Sequence, residues 1–479
     1  MKYKIALGAL LISSLSFSQA KKWSLQDCIA YAHENNLTIK SNELNLKSTD
    51  LAKDAATANL FPNLNFNGGY FWQFGLSIDP TTNTRQAGSR QTSSYTVSSS
   101  WVVFDGLQNI KMISQARLDY MASVYNLEAI KNDISLSIAS SYLQVLLNKQ
   151  IVEVAENQLT ISESQLQRNK KLFEAGSIPK GDYLQAQAQL ASDDQSVIAA
   201  QNNVTLSMLQ LVQILQLDEY EDFDIVTPTL ADPDNALLNY SPKQIYDIAI
   251  DNQPVIKSAE LGVQSAETQV GISKGSYSPI VSLSGQVNSN YAQDAKNYQT
   301  FDLNQITTLT NESGSTNPAD FTYIANTSTF YDPTTATAIP FFDQFGNNLN
   351  QFVGVNVQIP IFNRFQIRND ISNSQIALER AQVQLETQKN TLRQTIERAY
   401  ADALATLKSF KAAEKSLDAN KENWEYAQKR YEQGAMNQFD YERTRNLYLN
   451  ATAQLLQNKY EYIFKVKVLQ FYLTNNITL

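Results

Sequence analysis

The chain has 479 residues and a formal net charge of −9 at pH 7, with one cysteine and one histidine. This acidic balance disfavours nucleic acid, which binds basic surfaces, and we expect no nucleic-acid partner. A single cysteine excludes an internal disulfide framework, and a single histidine excludes a two-histidine metalloprotease motif. Cys28 and His33 lack further ligands nearby, so we expect no metal, no cofactor and no catalytic residue.

The first 20 residues have the pattern of a secretory signal peptide. Lys2 and Lys4 precede an apolar stretch at residues 5–15, and Ser18-Gln19-Ala20 is a small-x-small cleavage site. Loss of the two lysines changes the net charge from −9 to −11. No later segment has 18 uninterrupted apolar residues, so a membrane crossing by the mature chain requires strands of a β-barrel.

The chain contains two copies of one pattern, which we interpret as a first repeat at 21–227, a linker at 228–240 and a second repeat at 241–479. Two shifts superimpose identical residues, one of 217 positions and one of 258, including Ser24 on Ser241, Pro62 on Pro279, Phe104 on Phe362, Gly176 on Gly434 and Asp182 on Asp440. The difference of 41 residues is extra length in the polar segment 288–350, which we expect to be an extracellular loop.

Stretches without glycine or proline, interrupted at short bends, predict long helical hairpins at 106–217 and 363–473. Shorter helices are predicted at 24–61 and 241–278, where Pro62 and Pro279 end them. About 65 to 70 helical residues would span roughly 100 Å, about three times the hydrocarbon thickness of a bilayer. Their polar composition places these helices in water. Asp182 and Asp440 follow the two bends, and we expect each to be the N-cap of a returning helix.

Four segments alternate apolar and polar residues as strands do, at 63–74, 95–104, 280–291 and 351–361. Segments of about ten residues with this alternation are typical of outer-membrane barrels, although a soluble β-hairpin core is the alternative. Aromatic residues fall near both ends of the strands, as a membrane-interface girdle requires. The interface candidates are Phe61, Trp72, Tyr95, Trp101, Phe104 and Phe362.

Four strands cannot close a barrel, and an open sheet edge in lipid leaves backbone groups without hydrogen bonds. The chain is therefore expected to contribute a fraction of a shared barrel. Two copies would supply eight strands and three would supply twelve, which leaves a lumen. The residues alone leave the number of copies open.

Several motifs together resemble the TolC-like outer membrane efflux protein family, in the same order and in duplicate. They are the opening helix at 24–32, Leu60-Phe61-Pro62 before a strand, the segments 101–106 and 359–363 after strands, and the bends at 173–176 and 431–434. The resemblance implies an α+β membrane protein: a homotrimer with a twelve-stranded β-barrel, four strands per chain, continued by a long periplasmic α-helical barrel. It also implies docking on a periplasmic adaptor protein and an inner-membrane transporter.

The resemblance further implies a gate at the periplasmic helix tips. Asp182 and Tyr431 match positions that hydrogen-bond each other in the family, whereas Met436 and Gly181 replace a second family latch. Asp440 matches the first of two acidic rings, but Arg443 replaces the second. Asp182 and Asp440 could equally be ordinary helix caps. The bend residues implied to contact the adaptor are Gly176, Ser177, Ile178, Gly434, Ala435 and Met436.

We therefore interpret the chain as the outer-membrane exit duct of a tripartite efflux pump or type I secretion system in a Gram-negative bacterium. Its partners would be two further copies of itself, outer-membrane lipid, the adaptor and the inner-membrane transporter. The main alternative is a periplasmic coiled-coil scaffold or adhesin without a pore, and an envelope hydrolase is a weaker one. The exported cargo is not encoded in any motif, because the pump selects it.

Overall fold

The structure, a computed structural model, describes residues 22–78, 85–218, 223–228, 236–302, 329–475 and 477. The predicted signal peptide lies outside these residues. The chain divides into two compact units. A helical unit comprises Met1–Lys53, Ser114–Thr268 and Asn373–Leu479, and a sheet unit comprises Asp54–Ile113 and Gln269–Ser372.

Helices dominate the described residues. They are α1 (Leu25–Asn35), α2 (Leu37–Ala58), α3 (Gln108–Glu174), α4 (Lys180–Leu215), α5 (Pro242–Asn252), α6 (Pro254–Gly275), α7 (Phe341–Asn347), α8 (Gln366–Glu432) and α9 (Gln438–Thr474), with a 3₁₀ turn at Ala236–Asn239. Within this described part of the chain, no helix has both the length and the apolar character needed to span a membrane.

The shorter helices of both repeats are interrupted, so the predictions of single helices at 24–61 and 241–278 were wrong in this respect. Asn36 separates α1 from α2, and its side-chain oxygen accepts hydrogen bonds from Thr38 N (2.9 Å) and Ile39 N (3.3 Å). Gln253, 217 positions later, separates α5 from α6 in the same extended conformation, because a residue before proline is disfavoured in a helix. Both first helices begin with a serine capping box.

The helical unit has two apolar cores. The larger one gathers α1, α3, α4 and α9 around buried residues such as Leu146 and Leu211, and the smaller one joins α5, α8 and α9 around Ile245 and Ile396. Tyr142 of α3 also donates a hydrogen bond to Val226 O (2.7 Å), beside the short parallel pair β1 (Lys22–Trp23) and β4 (Asp224–Ile225). The strand pair formed by β1 and β4 is thus held against α3.

The sheet unit contains a four-stranded antiparallel sheet in the order β2-β3-β5-β8. The strands are β2 (Asn65–Ile78), β3 (Arg85–Phe104), β5 (Ile280–Ala292) and β8 (Asn350–Gln358). β2 ends four residues later than predicted, β3 begins ten residues earlier than predicted, and β8 ends three residues earlier than predicted. Among the residues that the structure describes, the two outermost strands, β2 and β8, each have one edge without a partner strand.

One face of this sheet is apolar and the other is mostly polar. The register places apolar side chains of all four strands on the same face, and most are exposed: Phe66, Trp72, Phe74, Leu76, Val97, Trp101, Leu283, Val287, Val353, Val355 and Val357. The opposite face carries mainly Asn, Ser, Thr and Gln, with exceptions that include Phe71, Arg90, Val102 and Phe352. Of the predicted interface aromatics, Phe61, Trp72, Trp101, Phe104 and Phe362 are exposed.

The segment 288–350 is more structured than the loop that the sequence predicted. A second antiparallel pair is formed by β6 (Lys296–Asp302) and β7 (Thr329–Ala338), and α7 follows it. Residues 303–328 lie outside the described part. The polar composition of this segment carries no clear period, so its strands and helix were not predicted.

The turn from strand to long helix has left-handed residues in both repeats. Gly106 and Leu107 have φ of 71° and 66°, and the residues 258 positions later, Arg364 and Phe365, have φ of 55° and 63°. Only the first turn is crowded, because a Cβ on Gly106 would lie 2.5 Å from the carbonyl oxygen of Gly275. The duplicated turn has therefore kept its backbone while its side chains diverged.

Candidate functional site at the hairpin bends

The two hairpin bends have the same backbone. Gly176 ends α3 with φ of 72°, and Gly434 ends α8 with φ of 71°. In the first bend Gly176 N donates to Phe173 O (2.9 Å) and Ser177 N donates to Leu172 O (2.8 Å). The second bend repeats both bonds 258 positions later, at 3.0 and 2.8 Å. This is the Schellman arrangement, which favours glycine at the left-handed position.

Each bend is closed by a stacked pair of aromatic rings. Phe173 and Tyr183 stack with ring centroids 5.6 Å apart, and the repeat-equivalent Tyr431 and Tyr441 stack at 4.6 Å. The Arg168 guanidinium lies 5.9 Å from the Tyr431 ring, and its Nη2 donates to Glu432 O (3.2 Å). α3 of the first repeat thus contacts the bend of the second.

The hydroxyl of Tyr431 has different neighbours from the one that the family resemblance implied. It lies 3.3 Å from Asn169 Oδ1 and 3.2 Å from Gln438 Oε1, and Asn169 Nδ2 in turn donates to Gln438 Oε1 (2.7 Å). The expected hydrogen bond to Asp182 is replaced by this pair of amides. Burial raises the pKa of Tyr431, and the charge of Asp182 acts in the same direction, so the hydroxyl stays protonated.

The two aspartates after the bends are not N-caps, contrary to the sequence-based prediction. α4 begins at Lys180 with Pro179 as its N-cap, so Asp182 lies in the first helical turn. α9 begins at Gln438, and the side chain of Asn437 accepts a hydrogen bond from Asp440 N (2.8 Å). Acidic residues in a first turn interact favourably with the helix dipole, which accounts for their position.

The remaining predicted site residues are mostly accessible in the chain. Gly176, Ser177, Gly434, Ala435 and Arg443 are exposed. The other members of the predicted set, Ile178, Met436, Asp182 and Asp440, are partly buried. Phe439 and Leu447 lie one turn on either side of Arg443 and are also exposed, at 66% and 47%.

A buried polar cluster lies further along the same helices and was missed from the sequence. Arg445 of α9 is fully buried, and its Nη2 lies 2.8 Å from Asp193 Oδ2 of α4. Its Nη1 donates to Ser162 Oγ of α3 (3.0 Å), and Ser162 in turn donates to Asp193. The Gln158 amide, assigned with its oxygen toward the guanidinium, accepts from Nε at 2.9 Å. Three helices from both repeats therefore meet at one guanidinium.

Glu442 is the poorly satisfied member of this cluster. Its Oε2 lies 3.1 Å from Arg445 Nη1, but neither carboxylate oxygen has a hydrogen-bond partner among the described residues. Asp193, by contrast, also accepts from Gln189 Nε2 (2.9 Å). Burial raises the pKa of Glu442; Arg445 acts against this shift, whereas Asp193 adds to it. One guanidinium thus faces two buried carboxyl groups.

Only a weak signal for this cluster exists in the sequence. Glu442 and Arg445 are three residues apart, the spacing of an ordinary surface ion pair on a helix. Their burial follows from the packing of α9 on α3 and α4, which a single-sequence pattern does not specify. Gln438 and Asn169 were missed for the same reason.

Comparison with known proteins identifies the class. A family model described as outer membrane efflux protein matches residues 29–216 and 245–473, which together make up most of the chain. The chain belongs to this family, and the family resemblance seen in the sequence is confirmed. The two matched segments also correspond to the two repeats.

The chain is similar to outer membrane efflux protein BepC of Brucella suis biovar 1, with 21% identity over 428 residues that cover 89% of this chain and 78% of BepC. Among solved structures it is similar to the CmeC outer membrane channel of Campylobacter jejuni, with a TM-score of 0.71, 16% identity and coverage of 94% and 85%. For VceC of Vibrio cholerae the TM-score is 0.68 at 17% identity, with coverage of 94% and 95%.

These findings confirm the fold class and the location. The chain is an outer membrane channel protein of the family, with β-barrel strands and a large periplasmic helical part. Members of the family form trimeric channels that work with efflux pumps, and they are channels rather than enzymes.

Removing the buried guanidinium should destabilise the helical unit strongly. In Arg445→Met, Asp193 and Glu442 would remain buried without a cation, and breaking such a pair costs about 3–5 kcal/mol. We expect a markedly lower thermal midpoint of helix loss by circular dichroism. Arg443→Met, on the same helix but exposed, should leave the midpoint within error. Equal midpoints for the two variants would show that Arg445 contributes no such support.

Glu442→Gln should flatten the dependence of stability on pH. Because the folded-state pKa of Glu442 is raised, this group favours folding below its ordinary value of about 4.3 and loses that contribution as pH rises through the folded-state pKa. Between pH 4.5 and 7.5 the variant should therefore lose less thermal stability than the native chain. Glu461→Gln, exposed on the same helix, is the control. An unchanged pH slope in Glu442→Gln would contradict the assignment.

Proposed function

We propose that this chain forms the passive outer-membrane exit duct of a tripartite efflux pump or type I secretion system. The observation that carries the proposal is the four-stranded sheet, with an apolar exposed face, a mostly polar opposite face and two open edges. Such a sheet matches one portion of a membrane barrel with lipid outside and water inside.

The open edges support assembly of three copies. If β8 of one copy pairs with β2 of the next, three sheets supply twelve strands and no edge remains in lipid. Twelve strands enclose a lumen, whereas eight would be nearly filled by side chains. In a homotrimer, the three sheets can close a barrel in lipid and still leave a lumen for transport.

The alternative, a periplasmic scaffold or adhesin without a pore, fits this sheet poorly. Trp72, Phe74 and Val353 are 60%, 82% and 81% exposed on one continuous face, and water would meet all of them. Contiguous apolar patches of this kind mark an interaction surface. Lipid is the partner that such a face fits when the chain is an outer membrane protein.

The bends support docking of a periplasmic adaptor protein, which would connect the duct to an inner-membrane transporter. Gly176, Ser177, Gly434 and Ala435 form two exposed bends with the same backbone. Ile178 and Met436 add apolar contacts beside them. Two equivalent bends per chain would present six equivalent sites in a trimer to a partner with matching repeats.

Planar-bilayer recording of the purified protein tests the duct. We expect stable channel conductance from material that chemical cross-linking shows to be trimeric. Val355→Arg on the apolar face should impair membrane insertion by about 2–4 kcal/mol, whereas Asn356→Arg on the polar face should insert and change ion selectivity. A monomer that leaves bilayers unperturbed would overturn the proposal.

We further propose that the bends close the duct, with Tyr431, Asp182, Asp440 and Arg443 as gate residues. The contacts of Tyr431 with Asn169 and Gln438 support this, because they join α8 to α3 and to α9 at the bend. Three copies of Asp440 around one axis would favour cations, and Arg443 would weaken that preference.

Tyr431→Phe should raise the open probability of the reconstituted channel. The variant keeps the ring stacked on Tyr441 and removes one hydroxyl, and loss of about 1 kcal/mol shifts the closed–open equilibrium about fivefold for each copy in the trimer. Single-channel recording measures this. Tyr426→Phe, on the same helix with a 60% exposed side chain, is the control.

Asp182→Ala, recorded beside it, separates two mechanisms. If Asp182→Ala opens the channel and Tyr431→Phe does not, the aspartate holds the gate closed without the amide pair. If neither variant opens it, the bends are not the gate.

A further inference from the structure

α7 lies on the apolar face of the sheet, and its placement goes beyond the barrel itself. Phe341 contacts Tyr95 and Tyr291, with ring centroids 6.3 and 5.2 Å apart, and Phe345 lies 6.0 Å from Tyr95. Tyr95 and Tyr291 are on the same face as Val97 and Val287, which are exposed. α7 therefore covers the outer side of β3 and β5 rather than the polar side.

Hydrogen bonds hold α7 firmly in this position. The side chain of Gln344 is 2% exposed; its Nε2 donates to Ala292 O (2.9 Å) and its Oε1 accepts from Ala292 N (3.0 Å). Ser289 Oγ donates to Phe345 O (2.8 Å), and Asn348 Nδ2 donates to Asn290 O (2.7 Å). The short helix is thus bonded to strand β5 at three points.

The side chains of α7 point in four directions. At about 100° per residue, Phe341, Gln344 and Phe345 face the sheet, Asp343 and Gly346 point away from it, and Phe342 and Asn347 project to opposite sides. Phe342 is 83% exposed, and Phe345 and Leu349 beside it are 38% and 45% exposed. Asp343 is the one charged residue between positions 339 and 349. This division suits a helix at a boundary between apolar and aqueous surroundings.

The height of α7 on the sheet matches such a boundary. Ser289 is nine residues from Ile280, where β5 begins. At about 3.4 Å per residue and a strand tilt of about 40°, this distance is a rise of roughly 23 Å, close to the 25 Å or so of an apolar barrel band. The register places Tyr70 of β2 opposite Ser93, and Ser93 opposite Tyr291, which contacts Phe341.

We propose that α7 is an interfacial membrane anchor, with Phe342 inserted among lipid chains at the edge of the outer leaflet. It continues the aromatic level of Tyr70 and Trp72 over β3 and β5, where Phe341 lies on Tyr95 and Tyr291. The inference rests on the proposed barrel and adds to it a lipid contact made by a helix. Tyr95, expected at the interface itself, is covered by the phenylalanines of α7.

Site-directed spin labelling of the full-length protein in phosphatidylcholine vesicles tests this anchor. Labels are placed by Phe342→Cys, Asn347→Cys and Val355→Cys, and collisions with oxygen and with a water-soluble nickel chelate are compared. Cys28 should take no label, because it is fully buried and burial raises the pKa of its thiol to about 12. Labelling of the native chain gives the blank.

We expect the oxygen-to-nickel collision ratio at position 342 to equal that at 355 and to exceed severalfold the ratio at 347. A low ratio at 342 with a high ratio at 355 would overturn the anchor and leave the barrel intact. Low ratios at both positions would overturn the barrel as well. A label at 342 that is immobilised and shielded from both reagents would show a protein contact, which also overturns the anchor.

Discussion

The rest of the architecture depends on two strands, β2 and β8, each of which has a neighbour on only one side within the described part of the chain. β2 and β8 end the sheet, and every peptide group on a bare edge costs several kcal/mol in lipid because no water satisfies it. A chain with this sheet can reach a stable state in a membrane only beside further copies. Because the edge strands must pair, the sheet requires further copies of the chain, and the barrel that they form encloses a lumen through which transport can occur.

Near the bends, the helices are held together by polar contacts rather than by an apolar core. Apolar cores around Leu146 and Ile396 stabilise the parts of the hairpins that are further from the bends. Closer to the bends, Arg445, Asp193 and Ser162 form a buried polar contact. A desolvated guanidinium contributes little net stability, but it tolerates few alternative alignments because each donor needs its acceptor. We therefore infer that the cluster determines the alignment of α9 on α3 and α4 more than it adds to the stability of their packing.

Local signals predicted most of the fold. Glycine at 176 and 434 marks the bends, because a left-handed residue is needed there, and the alternation in β2 and β8 marks the sheet. The breaks at Asn36 and Gln253 were missed, since a side-chain cap or a proline inside a good helical pattern shifts the backbone only locally. The contact of Tyr431 with Asn169 and the burial of Arg445 could not be predicted, because residues more than 250 positions away supply them.

The strand-to-helix turns show how far the two repeats have become distinct. The turn at 106–107 is wedged against Gly275 and Ser278, whereas its counterpart at 364–365 carries arginine and phenylalanine with the same handedness. Substitutions between the two turns should therefore differ in effect. Glycine in place of Arg364 would relieve backbone strain, whereas arginine in place of Gly106 would clash with Gly275 and Ser278. The two repeats are therefore not interchangeable at this turn.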